Sequence, residues 1–179
     1  MPQAGSALEP LHLLFKETCI DVFASIQCEL EIVESAKEVL ALPCAFIEAL
    51  SDDLELKLLL RGPVSILRET YPIKGDAEFV QAHEIEDWIS ELANRFMGAL
   101  KNKLIDYQHY LQLGTPQKQF GIRLDELLDE GFSMLTLNFQ SGREVFECSL
   151  HTKVLNQNLS FEYKEPEADP FDDGELEMF

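Results

Sequence analysis

Apolar side chains recur at two different periods along this chain, and the switches between them divide it into helices and strands. Leu11, Phe15, Cys19, Val22, Phe23 and Ile26 keep helical spacing, so residues 8–26 read as a helix with Pro10 tolerated in its first turn. Cys28, Leu30 and Ile32 then alternate with Glu29, Glu31 and Val33, which predicts a half-buried strand. Pro43 opens a second strand through Ala45, Phe46, Ile47 and Leu50. Ser51-Asp52-Asp53 supplies a turn, and Leu54, Leu56 and Leu58 alternate with Glu55 and Lys57 on the way back. Gly62-Pro63 stops that strand and begins a short helical segment over 64–70. A loop through Pro72 and Gly75 leads into a long helix at about 83–106.

Beyond it, Tyr107, His109, Leu111 and Leu113 alternate with Gln108, Tyr110 and Gln112 until Gly114-Thr115-Pro116 breaks the pattern. Residues 124–128 read as a short helix, and 133–140 with 144–151 as a hairpin around Ser141-Gly142. Leu135, Leu137 and Phe139 share one face of its first strand, as Phe146, Cys148 and Leu150 do of its second. The expected fold is α/β, more narrowly α+β: a mixed or antiparallel sheet packed against two long helices. Residues 1–160 make the expected domain. Residues 161–179 make an expected disordered tail, since from Glu162 onward there are eight acids, one lysine, two prolines and no apolar period. Its interleaved Phe171, Leu176, Met178 and Phe179 also suit a short docking motif, but a solubilising tail is the simpler reading.

Composition narrows the functional classes. The net charge of −19 repels phosphate backbones and anionic headgroups, so neither nucleic acid nor membrane is an expected partner. No apolar run approaches a bilayer span, and MPQAGSALEP lacks the charged and apolar regions of a secretory signal. A cytoplasmic location is the expectation. Cys19, Cys28, Cys44 and Cys148 fall at no metal-like spacing and read as buried reduced thiols. His12, His83, His109 and His151 lack ligand spacing too, and read as ordinary surface or strand residues. No metal is expected on this chain. Neither a G-x-S-x-G nucleophile context nor a Walker-type loop is present.

The long helix carries the remaining chemistry. Trp88, Ile89, Leu92, Phe96, Ala99, Leu100 and Leu104 share one half of its wheel. Opposite them, Asp87, Glu91, Asn94 and Gly98 fall within roughly 60° of one another, one turn apart on a single ridge. Polar residues on the wet side of a helix need no special account. A glycine there does, because it costs about 1 kcal/mol relative to alanine in a helix interior. A missing side chain suits a flat docking surface with a carboxylate and an amide at its middle. A carboxamide both donates and accepts hydrogen bonds, so it can hold a water molecule in line with a leaving phosphoryl group. A carboxylate three residues away can pair with a lysine of the phosphorylated partner and fix the register of the two surfaces.

An acid, three residues, Glu, two residues, Asn, and a proline after 21 intervening residues make up Asp87, Glu91, Asn94 and Pro116. With the phrase ELANRFMG, this resembles the CheC/CheX family of chemotaxis phosphatases over roughly residues 8–153. The resemblance implies hydrolysis of the aspartyl phosphate of a CheY-like receiver. Asn94 would orient the attacking water, Glu91 would pair with the receiver's lysine, and Asp87, Gly98 and Pro116 would shape and support the site. Magnesium would sit on the receiver, with no cofactor on this chain. The single E-x-x-N fits the one-site, homodimeric CheX type. The chain departs from the family pattern in a hairpin without glycines, FIEALSDDLELKLLL, and in Arg95, where an apolar residue is common after the Asn. The alternative is a non-catalytic adaptor on the same fold that binds a receiver or a flagellar-switch partner.

Overall fold

The computed structural model describes residues 7–34, 42–72, 80–120 and 131–163. Helix α1 (Glu9–Ser25) leads, then strands β1 (Glu31–Val33), β2 (Pro43–Leu50) and β3 (Leu54–Arg61), the short helix α2 (Val64–Glu69) and the long helix α3 (Ala82–Ile105). Strands β4 (Gln112–Leu113), β5 (Gln117–Phe120), β6 (Ser133–Ser141) and β7 (Glu144–Val154) follow. One seven-stranded sheet runs β1-β6-β7-β3-β2-β4, with β5 also paired to β2. Every pairing is antiparallel, so the fold is the expected α+β type without a parallel pair among the described strands.

Alternation decides which face each strand buries. Ala45, Ile47 and Ala49 of β2, Leu54 through Leu60 at every second position of β3, and Phe146, Cys148 and Leu150 of β7 join α1 and α3 in one core. The hairpin register sets Leu135 against Leu150, Leu137 against Cys148 and Phe139 against Phe146, as the period of two requires. Phe23 of α1 closes the cluster: its ring lies 5.1 Å from Phe96, 4.8 Å from Phe139 and 5.2 Å from Phe146. Phe146 is so close to the backbone at Gly62 that a Cβ there would collide with its ring. Lys103 of α3 reaches back to α1, 2.7 Å from Asp21 and 3.7 Å from Glu17. Cys44, Phe46 and Leu59 form a second, smaller buried cluster on the opposite face of the sheet.

Several expectations need correction or fall elsewhere. The first strand is shorter than its alternation: Cys28 and Leu30 lie in the connection after α1, packed against the core, and Ile32, opposite the core residue Phe139 on the edge strand, is exposed. Gln27 adopts a left-handed φ of 57° in the turn that leaves α1. The strand read over 107–113 shrinks to Gln112–Leu113, because α3 ends in a turn with Gln108 at φ 62°. His109, read as an ordinary surface or strand residue, is instead buried in that turn. Its Nδ1 lies 3.0 Å from Asp53 Oδ2 and its Nε2 2.9 Å from the Ser160 carbonyl. Strand β5 was not expected at all, since Gln117-Lys118-Gln119 shows no apolar alternation. The helix read at 124–128, and the tail from 164 onward, lie outside the described residues. Phe161 packs edge-on against His109 and Tyr107 at centroid distances of 5.1 and 6.1 Å.

Candidate functional site on helix α3

A capping box starts α3. The Gln81 side chain takes the Glu84 N–H, and the Glu84 carboxylate accepts the Gln81 N–H at 2.7 Å. The inner arc, Ile85, Trp88, Ile89, Leu92, Phe96 and Leu100, is buried. Trp88 is further fixed by its Nε1–H, which donates to Thr70 Oγ1 at 3.0 Å, and by an edge contact with Tyr71. With that arc anchored, the rotation of the helix is settled. Asp87, Glu91 and Asn94 all emerge exposed on one side, and Gly98 is half-exposed with nothing within 4 Å of where a Cβ would stand. The ridge inferred from the wheel is therefore present.

Its members differ in their partners. Asp87 Oδ1 accepts a hydrogen bond from Lys118 Nζ of β5 at 2.5 Å, and Glu86 lies 3.8 Å from the same ammonium. That hydrogen bond, with the charge behind it, holds the Asp87 carboxyl below its ordinary range and Lys118 above its own. Glu91 Oε1 accepts from Arg95 Nε at 2.9 Å, one turn along the helix. The Arg95 guanidinium also lies over the Trp88 ring, 5.0 Å from its centroid. Among the described residues no side chain or backbone group bonds the Asn94 carboxamide. It is an open donor and acceptor at the surface.

Pro116 takes its place from the sheet edge. Strands β4 and β5 lie one after the other along the outer edge of β2, with Leu113 opposite Ala49 and Gln117 opposite Phe46. Residues 114–116 therefore oppose only 47–48, which makes a bulge, pinned by the Gly114 N–H to the Glu48 carbonyl at 2.8 Å. Proline lacks an N–H and is tolerated at such an edge interruption. The bulge begins β5, and β5 carries Lys118 to Asp87. Neither Lys118 nor the Arg95–Trp88 stack was singled out from the sequence. Arg95 was readable as the residue four beyond Glu91, whereas Lys118 had no local signal.

Among the described residues no group of three or more His, Cys, Asp or Glu side chains could hold a metal, and no helix is long and apolar enough to cross a membrane. All four cysteines are free, and burial pushes the Cys148 thiol, beside Cys19, well up.

This architecture, a seven-stranded antiparallel sheet under two long helices, is the CheC/CheX fold. No protein-family model and no curated protein matches the chain in sequence. In structure it is similar to the chemotaxis protein CheX from Vibrio vulnificus, with TM-score 0.66, 17% identity and coverage of 78% of this chain and 97% of that one. A chain of the CheX–CheY–BeF3–Mg2+ complex from Borrelia burgdorferi aligns with TM-score 0.60 and 11% identity, over 78% of this chain and 96% of that one. The FliM middle domain from H. pylori aligns with TM-score 0.54 and 8% identity, over 82% and 89%.

Proposed function

We propose that this protein is a phosphatase acting on the aspartyl phosphate of a CheY-like response regulator in chemotaxis or two-component signalling. The observation that carries the reading is the exposed Asp87–Glu91–Asn94 ridge, with an unpartnered carboxamide at its centre. In this reading the ridge docks against the receiver's phosphorylation pocket, and Glu91 pairs with a lysine there. The Asn94 carboxamide accepts from, and so aims, a water at phosphorus in line with the leaving carboxylate. Magnesium is held by the receiver, and no cofactor is needed on this chain. Asp87 and Pro116 act at one remove: the Asp87–Lys118 bond ties β5 to α3, and Pro116 ends the bulge that leads into β5. The structural likeness to a chain of a CheX–CheY complex supports a receiver as the partner. A homodimer is proposed with it.

The test is the decay of phosphorylated receivers from the same cell, followed with wild type and with Asn94→Ala. Losing a group that positions the attacking water should slow turnover about 10²-fold, with receiver binding largely intact. The similarity to the FliM middle domain favours a second reading, an adaptor that binds a receiver or switch component without hydrolysis. Wild type that binds a phosphorylated receiver without hastening its decay decides for the adaptor.

A further inference from the structure

Arg95 occupies a place in this site that the proposed reaction does not yet use. Its Nε–H donates to Glu91 Oε1 at 2.9 Å, while the guanidinium plane rests over Trp88, itself buried and bonded to Thr70. A surface glutamate ordinarily samples several rotamers. Here one of its oxygens is tied to a group that is tied in turn to the core. Only Oε1 has a described partner, so Oε2 is left to accept from an incoming donor. The Arg95 side chain is 44% exposed, against 48% for Glu91.

We infer that Arg95 is a positioning residue: it holds the Glu91 carboxylate in the orientation that receives the partner's ammonium group. This rests on the reading of Glu91 as the anchor for a receiver lysine. A carboxylate ordered before docking loses less freedom when the lysine arrives, so the gain appears in association and not in the chemical step. The order Glu then Arg, four residues apart toward the C-terminus, is also the favourable one for a helical pair. The stack on Trp88 supplies what a lysine at this position would lack, a planar cation braced by an aromatic face.

The experiment measures initial rates against concentration of whichever phosphorylated receiver wild type discharges. Variants Arg95→Met, Glu91→Gln and the double substitution are compared with wild type, and Asn94→Ala serves as the control for the chemistry. Arg95→Met should raise KM about two- to fivefold, the range of an exposed ion pair, with kcat unchanged. In the Glu91→Gln background the same substitution should add nothing further. A fall in kcat at constant KM overturns the inference, since it would place Arg95 at the reacting phosphoryl group. So does a KM effect that persists without the Glu91 carboxylate, or no effect at all in an active enzyme. Wild type that discharges no receiver overturns the parent reading, and this inference falls with it.

Discussion

Gly98 is the residue whose presence the fold itself does not require. It lies inside α3, where glycine is a poor helix former, and the space beside it is empty. Gly98→Ala should therefore stabilise the protein by about 0.5–1 kcal/mol in a urea titration. If the bare backbone serves close docking, the same variant should bind its receiver more weakly; tighter folding with unchanged binding would remove Gly98 from the site. Asp87, Glu91 and Asn94 were legible as a set, because helical geometry fixes the face they share. Lys118 was not. Strand pairing brings it to Asp87 from a separate element, and no pattern local to Gln117-Lys118-Gln119 announces it.

At the scale of elements, the helices and the strands with strong alternation emerged from the sequence nearly to their ends. Helix α1, strand β3 and the β6–β7 hairpin each bury a periodic apolar set, so period and face had only one consistent solution, whereas β2 is buried on both faces over its first five residues. The alternation from Tyr107 to Leu113 misled because it straddles two states. Its first residues finish α3 through a left-handed Gln108, and only its last two pair with β2. Strand β5 exists because β2 offers an unpaired edge, which is a property of the neighbour. The junction between β3 and α2 supplies a test. Any side chain at Gly62 meets the Phe146 ring, so Gly62→Ala should cost about 1–3 kcal/mol in thermal or urea unfolding. A neutral result would mean that Phe146 can withdraw without disturbing the aromatic cluster around Phe23.

The molecule as a whole couples a high negative charge to a sheet that buries a histidine. His151 of β7 pairs across the sheet with Lys57 of β3 and Met134 of β6, and neither ring nitrogen has a hydrogen-bond partner among the described residues. Burial first, and the Lys57 ammonium second, hold its imidazole below its ordinary 6.5. The folded state thus prefers the neutral ring, while the unfolded chain binds the proton more readily. The stability this contributes is present above pH 6.5 and is lost as pH falls below that value toward the folded pKa. Acidification also relieves repulsion in a chain of net charge −19, so the wild-type slope mixes opposing effects. The comparison with His151→Gln isolates the ring. On lowering pH from about 7 to about 5, the variant should lose less stability than wild type. Parallel pH profiles would show that burial of His151 carries no proton linkage.

The sequence by itself determined the two long helices, the principal hairpins, the face each buries and the ridge of Asp87, Glu91, Asn94 and Gly98. Periodicity is a local property, and a helix needs only its own residues to set which of them share a side. Tertiary structure decided the order of strands, the bulge at 114–116, the bond from Lys118 to Asp87 and the bracing of Arg95 on a Trp88 held by Thr70. Those contacts join groups from separate elements, and their free energy exists only once the sheet edge and the helix have met.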